Sequence, residues 1–443
     1  MNNFNVEASK QQIRDLVFDF FVQSHDFNGI SLRDIGEQLN IDYEVSIDLV
    51  IQLAEEKAVS IQSSTNPHII GFTHYSVQDQ RRILEDAKQI NCTHTEFGGF
   101  TVVTENTEFP ICVYPAPEYL ERHRDLRPFG NAVFSKRLAM GDPQLRFIFF
   151  DLDVLDRYSG DPRYVFKFDD YSGSIHCKYE NDQPVVREED EIFLKSFGLG
   201  YDSSGNRLAA VTLGYLKNLS PEHQVYWMGK EFKGKAKILK EYYENIIEGN
   251  WVFTHSIFSG FIGEQNCVNE LTEIIFGKRL FLKSFKTEER PREFTLFFKP
   301  TLKNYNEFIM LLDKMISDNI NKDFFKGTIE LEELIPIEGN LVERRQKGTL
   351  RIFEEWLLAK YKNADEGIDW IFKVFKRVRK ERQDPAHKIS SDEYDKAYDE
   401  KQKLVMVDVY KAMLNLRYAF ADHRLAAEFK VPRWLAEEQI TPF

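Results

Sequence analysis

Phe375–Ser390 reads FKRVRKERQDPAHKIS, and its folding decides the C-terminal architecture. The first half continues a helical pattern in which Ile368, Ile371, Phe372, Phe375 and Val378 recur on one face. Pro385 in the second half lacks an amide hydrogen and collides with the preceding turn, which rules out an uninterrupted helix through the stretch. One amphipathic helix therefore ends here and another follows. The second is marked by Leu404, Met406, Val409, Met413, Leu416 and Phe420, with Asp392 as its expected N-cap. Upstream, Leu350, Phe353, Trp356, Leu357 and Leu358 mark a further helix, so residues 344–443 are expected to form an all-helical domain.

The same stretch concentrates positive charge. Between Lys373 and Lys388 stand seven Lys or Arg residues against two acids, Glu381 and Asp384. Residues 344–443 hold 21 Lys+Arg and 17 Asp+Glu, a net +4 in a chain of net charge -13, which leaves -17 for residues 1–343. An acidic front excludes a whole-surface nucleic-acid binder. A basic run can still grip phosphates locally.

Within the run, Arg382 and His387 are separated by four residues in the string RQDPAH. This resembles the R-x4-6-H motif of HEPN-domain ribonucleases, although Gln383 is a less frequent successor to the Arg than Asn, Asp or His. The resemblance covers roughly the last 95 residues and implies a metal-independent endoribonuclease built on a helical bundle. It requires no metal or other cofactor, and two protomers would face one another through the helical domain. His387 would assist proton transfer at the ribose 2′-hydroxyl or leaving oxygen, Arg382 would stabilise charge on the scissile phosphate, and Gln383 would orient the pair. Lys373, Lys376, Arg377, Arg379, Lys380 and Lys388 would bind RNA. Family members act as toxins or antiphage effectors, so the resemblance implies a bacterial defence role with the upstream regions, or a regulatory protein partner, holding the nuclease in check. Arg417 and His423 also match the spacing, but they flank an apolar helix end and read as a C-terminal charge device.

The N-terminus has its own pattern. Ile13, Leu16, Val17, Phe20 and Phe21 mark a first helix, Ser31 caps a short second one, and Asp42–Lys57 supplies a third. Ala58–Ile61 and His68–Phe72 are expected as two wing strands. Three helices and a hairpin resemble a winged helix-turn-helix over residues 1–75. Its third helix carries Asp42, Glu44, Asp48, Glu55 and Glu56 against Lys57 alone, which favours contact with protein over DNA phosphates.

Residues 76–343 alternate short apolar runs with turn signals. Expected strands include Phe100–Val103, Ile111–Tyr114, Leu145–Phe150, Tyr164–Phe168, Ser174–Tyr179, Leu208–Leu213, Leu280–Phe285 and Phe294–Phe298, with a helix near Lys235–Ile247. The fold class is thus α+β multidomain: a winged-helix-like module, a central mixed α+β region and a C-terminal all-α bundle.

Several activities lack support. P-loop, GxSxG, HExxH and dinucleotide-binding glycine motifs are missing, and the four cysteines form no metal-like pair. FFDLDVLD offers Asp151 and Asp153 on one strand face, the start of a metal-dependent phosphohydrolase. Leu155, however, stands where that chemistry needs a small residue, and solvated acids capping a strand are the favoured reading. No apolar run approaches the ~20 residues that span a bilayer, and no secretory leader is visible, so a cytoplasmic location without membrane partners is expected. The alternative to the nuclease is a non-catalytic winged-helix/HEPN interaction or regulatory protein.

Overall fold

The computed structural model describes residues 5–89, 92–105, 110–250, 255–286, 289–337, 341–361, 365–383, 391–437 and 439–441. With 50% helix and 19% strand the protein is of the mixed α+β class, as its sequence pattern leads one to expect. None of the described helices is long and apolar enough to cross a membrane. Two compact units divide the chain. The first comprises Met1–Val154, Asp161–Phe166 and Gly173–Leu239; the second comprises Leu155–Gly160, Lys167–Ser172 and Lys240–Phe443.

The first unit opens with helix α1 (Val6–Gln23), capped by the Asn5 side chain accepting from the Ala8 amide, with Ile13, Val17 and Phe21 turned inward. Strand β1 (Ile30–Ser31) ends in the residue that caps α2 (Leu32–Leu39): the Ser31 hydroxyl accepts from the Asp34 amide. Asn40, in the left-handed region at φ 52°, stops α2, and Asp42 caps α3 (Tyr43–Glu55). Strand β2 (Val59–Gln62) follows. Its expected partner at His68–Phe72 is not a strand. The carbonyls of His68, Ile70 and Gly71 accept instead from the amides of Gly29, Gln144 and Leu145. The strand beside β2 comes later, as described below.

The insertion between β2 and its partner carries α4 (Val77–Ala87) and a hairpin, β3 (Cys92–Phe97) with β4 (Phe100–Glu105). Helix α4 lays Leu84 and Ala87 into the core formed by Ile47, Val50 and their neighbours. Two ion pairs align it with α3, Arg81 to Glu55 at 2.9 Å and Lys88 to Asp48 at 2.6 Å. Then β5 (Cys112–Pro115), buried at all four positions, pairs antiparallel with both β1 and β2, giving the order β1-β5-β2. The sheet's third strand thus lies beyond residue 75.

After α5 (Pro117–His123) and α6 (Val133–Ala139) comes a six-stranded sheet. Its strands are β6 (Phe147–Asp151), β7 (Tyr164–Asp169), β8 (Ser172–Cys177), β11 (Phe193–Asp202), β12 (Arg207–Thr212) and β13 (Ala236–Ile238), in the order β6-β12-β11-β8-β7 with β13 beside β11. A short ladder, β9 (Tyr179–Glu180) and β10 (Gln183–Pro184), leads into β11. Helices α8 (Leu213–Leu216) and α9 (Pro221–Met228) follow β12, and the buried Trp227 meets Phe150 edge-on at 4.9 Å. The helix expected near Lys235–Ile247 resolves into β13, α10 (Lys240–Tyr243) and a π turn to Glu248.

The second unit includes α7 (Asp156–Ser159) and is dominated by helices. Strand β14 (His255–Ser256) leads into α11 (Ile257–Phe276), whose Phe261, Ile262, Val268 and Leu271 are buried. Two expected strands are missing here. Leu280–Phe285 makes a single bridge, Phe281 to Ile320, and Phe294–Phe298 packs as an aromatic cluster, Phe294 lying 5.3 Å from Phe258. Helix α12 (Leu302–Asp313) runs into a π turn, Lys314–Asp318. The hairpin β15 (Glu332–Ile337) and β16 (Leu341–Gln346) precedes α13 (Thr349–Lys360), α14 (Asp365–Gln383), α15 (Ala397–Ala421) and α16 (Arg433–Ala436). Strand β17 (Ile440–Thr441) returns to pair parallel with β14. Helices α14 and α15 pack on α12 and α11, so the bundle reaches well upstream of residue 344. Asp392 does not cap α15, whose N-cap is Lys396; its Oδ1 accepts instead from the Lys303 amide in the first turn of α12.

Candidate functional site

Helix α14 forms because its apolar stripe is regular. Ile371, Phe372, Phe375 and Val378 are buried, which leaves the basic residues on the other faces. Lys373, Lys376, Arg377, Lys380 and Gln383 are exposed, while Arg379 and Arg382 are half-buried near the C-terminal end. Cationic side chains there also suit the negative end of the helix dipole. His387 and Lys388 lie outside the described residues.

Most of this basic face is engaged by carboxylates. Lys376 Nζ lies 2.6 and 2.7 Å from the two oxygens of Glu354 on α13. Arg377 reaches Asp408 on α15 at 2.9 Å, and Arg379 reaches Asp318 at 3.2 Å. Arg382 Nη1 donates to Asp313 Oδ2 at 2.6 Å and to Asp318 Oδ2 at 3.0 Å. Lys373 and Lys380 make no ion pair among the described residues.

The acids are placed unequally. Asp313, the last residue of α12, has no solvent exposure, and its Oδ1 has no hydrogen-bond partner among the described residues. Asp318 is 43% exposed at the end of the π turn. A buried carboxylate is tolerated only beside a compensating cation, so Asp313 fixes Arg382 in place. The hydrogen bond that Arg382 donates to Asp313 also raises the guanidinium pKa above its usual value, which keeps Arg382 charged. Next to Arg382, Glu381 accepts from the Tyr305 hydroxyl at 2.5 Å; burial, reinforced by that carboxylate, pushes the phenol pKa up. The site can therefore present a fixed cation, 32% exposed, to a phosphate that competes with Asp318.

Sequence reasoning missed Asp313 and Asp318. Asp313 did leave a signal, because it interrupts the buried run Phe308, Ile309, Leu312, Met315 and Ile316. A charge at such a position requires a buried partner.

The other candidates fall out differently. Arg417 is not a C-terminal charge device. It is buried and forms a two-pronged ion pair with the buried Glu264 of α11, Nε to Oε2 and Nη2 to Oε1, the latter at 3.2 Å. His423 caps a short 3-10 turn by accepting from the Leu425 amide. Asp151 is exposed at the end of β6, and Asp153 pairs with Lys230 at 2.7 Å. No cluster of three metal-capable side chains occurs among the described residues. On α3, Asp48 and Glu55 are engaged by α4, and Glu56 pairs with Lys10.

Neither family models, nor curated proteins, nor solved structures give any match to the chain.

Proposed function

We propose that the second unit carries a HEPN-like, metal-independent endoribonuclease centre formed by Arg382 and His387, with Gln383 orienting the pair and two copies of the chain meeting through the helical bundle. The observation that carries this reading is the setting of Arg382. It is a permanently charged, partly exposed arginine anchored by a buried acid, in the last turn of α14 and just ahead of the segment that holds His387. Such anchoring supports phosphate recognition without reorganisation. Lys373 and Lys380 would track the RNA backbone from the same helix. Lys376, Arg377 and Arg379 would join only by exchanging their carboxylate partners for phosphates, a built-in restraint suited to a toxin or antiphage effector of the cytoplasm.

The test is cleavage of total cellular RNA by the full chain in EDTA, comparing wild type with His387→Ala, Arg382→Lys and the control His423→Ala. Loss in the first two variants alone supports the reading. Equal cleavage by all four, or by none, discards it.

A second reading is a non-catalytic interaction protein. The order α1-β1-α2-α3-β2-α4-β3-β4-β5 with sheet order β1-β5-β2 supports a winged-helix-like module in which α4 and the β3-β4 hairpin are inserted before the third strand. The pairing of α4 with α3 favours protein contact over insertion of α3 into a DNA groove.

A further inference from the structure

The strongest unassigned feature lies in the first unit. A cavity of about 830 Å³ opens between the edge of β6 and the loop that leads into β13. The loop is held firmly. The Phe232 amide donates to the Phe149 carbonyl at 2.8 Å, and β13 then pairs with β11 through Gly200↔Ile238 and Tyr201↔Lys237.

Two glycines set the cavity's aromatic surfaces. A Cβ at Gly200 would come within 2.6 Å of the Phe149 ring, and a Cβ at Gly234 within 2.5 Å of the Phe232 ring. Each ring thus occupies space that a side chain at the glycine would fill. Phe149, Tyr201 and Phe232 are all half-buried.

Cations surround these rings. Arg137, Arg146, Lys233, Lys235 and Lys237 line the cavity against two lining acids, Asp202 and Glu231. Glu231 is shared by Arg137 at 3.4 Å and Lys233 at 2.7 Å. Lys235 and Lys237 are exposed and make no ion pair among the described residues. Asp142 engages Arg137 at 3.0 Å and Arg146 at 3.9 Å, so Lys235 and Lys237 are the lining cations that would attract an anion here.

We infer that this cavity binds a nucleotide, with the base stacked on Phe232 or Phe149 and the phosphate held by Lys235 and Lys237. Aromatic faces accept any base, and flanking lysines neutralise the backbone, which is the pattern of single-strand recognition. A simple anion would need no rings, and an apolar ligand would need no lysines. The volume suits a free nucleotide or one or two residues of a strand. The inference goes beyond the nuclease reading and does not depend on it.

Two probes test it in EDTA: ADP by calorimetry, and a labelled 2′-O-methyl RNA 12-mer by fluorescence anisotropy. The methylated strand cannot be cut through its 2′-oxygen, so the outcome is independent of nuclease activity. Binding of either probe is expected, weakened about tenfold by Phe232→Ala and at least as much by Lys235→Glu with Lys237→Glu, at unchanged melting temperature. ADP binding identifies a free nucleotide as ligand, and binding of the 12-mer alone identifies a strand. The inference is overturned if neither probe binds, if these variants bind like wild type, or if pyrophosphate competes as well as ADP and Phe232→Ala has no effect.

Discussion

Arg382 Nη1 lies 2.6 Å from Oδ2 of Asp313, and of the two residues only the arginine reaches solvent. The pair is therefore asymmetric. Removing Arg382 leaves a buried carboxylate whose remaining cation among the described residues is Arg379, with Nε 3.9 Å away. Arg382→Ala is expected to lower stability by roughly 1–3 kcal/mol, discounted for the partial exposure of the arginine. Adding Asp313→Asn should return more than half of that loss. Urea unfolding of the two single variants and the double variant checks this, and an additive result would refute the coupling.

Glu264 and Arg417 present the fully buried version of the same arrangement. Arg417→Met should cost about 3 kcal/mol, because the carboxylate of α11 is then uncompensated. Combined with Glu264→Gln, the loss should fall below about 1 kcal/mol. Chemical denaturation of the pair decides it, and a double variant no better than Arg417→Met would count against an electrostatic origin.

Asp170 gives a pH signature. It sits in the turn between β7 and β8 at φ 57°, accepting from the Ser256 amide at 2.8 Å, the Ser259 hydroxyl at 2.8 Å and Arg290 at 2.7 Å. Burial alone would raise its carboxyl pKa, but Arg290 and the Ser256 hydrogen bonds outweigh burial and bring it below the usual value of 3.8. A depressed acid contributes stability that is complete above its unfolded value and lost as pH falls through the folded one. Wild type should thus exceed Asp170→Asn by a constant margin from about pH 7 to 5, with the margin shrinking below about pH 4. A margin that stays constant to pH 2 would contradict the charge assignment.

Two buried thiols, Cys112 and Cys267, should be inert. Burial pushes the pKa of Cys112 and of Cys267 up to about 12. A maleimide or iodoacetamide at neutral pH should therefore label neither residue in the native protein and both after denaturation, as read by peptide mass spectrometry.

How much of this could be read from the sequence depends on how local the information is. Helices α12 to α15 were legible because each carries its own apolar stripe, and Ser31 announced α2 through capping chemistry. Strand β11 was not, since in FLKSFGLGYD the glycines erase the alternation, and one of them, Gly200, leaves room for the Phe149 ring. The aromatic run at Phe294–Phe298 looked like a strand because β-propensity records fit to a half-buried surface, and a cluster around Phe258 and Phe308 satisfies the same side chains. The partner of β2 lay beyond a long insertion, a distance that no local pattern encodes. At the candidate site Arg382 was legible and its acids were not, because ion pairing between α14 and the end of α12 is decided by tertiary packing.

The parallel pairing of β14 with β17 has a consequence for synthesis. His255 and Ser256 stand at the start of α11 and can find Ile440 and Thr441 only after everything between them has been made. Helix α11, whose buried side is among the most apolar surfaces of its unit, must therefore emerge from the ribosome long before the strand that clamps its first turn. Until then the first turn of α11 lacks its clamp, while Phe258 already has Phe294 and Phe308 to pack on. A chain truncated before Ile440 should be cut by proteases near His255 faster than the full chain, because the first turn of α11 then frays locally.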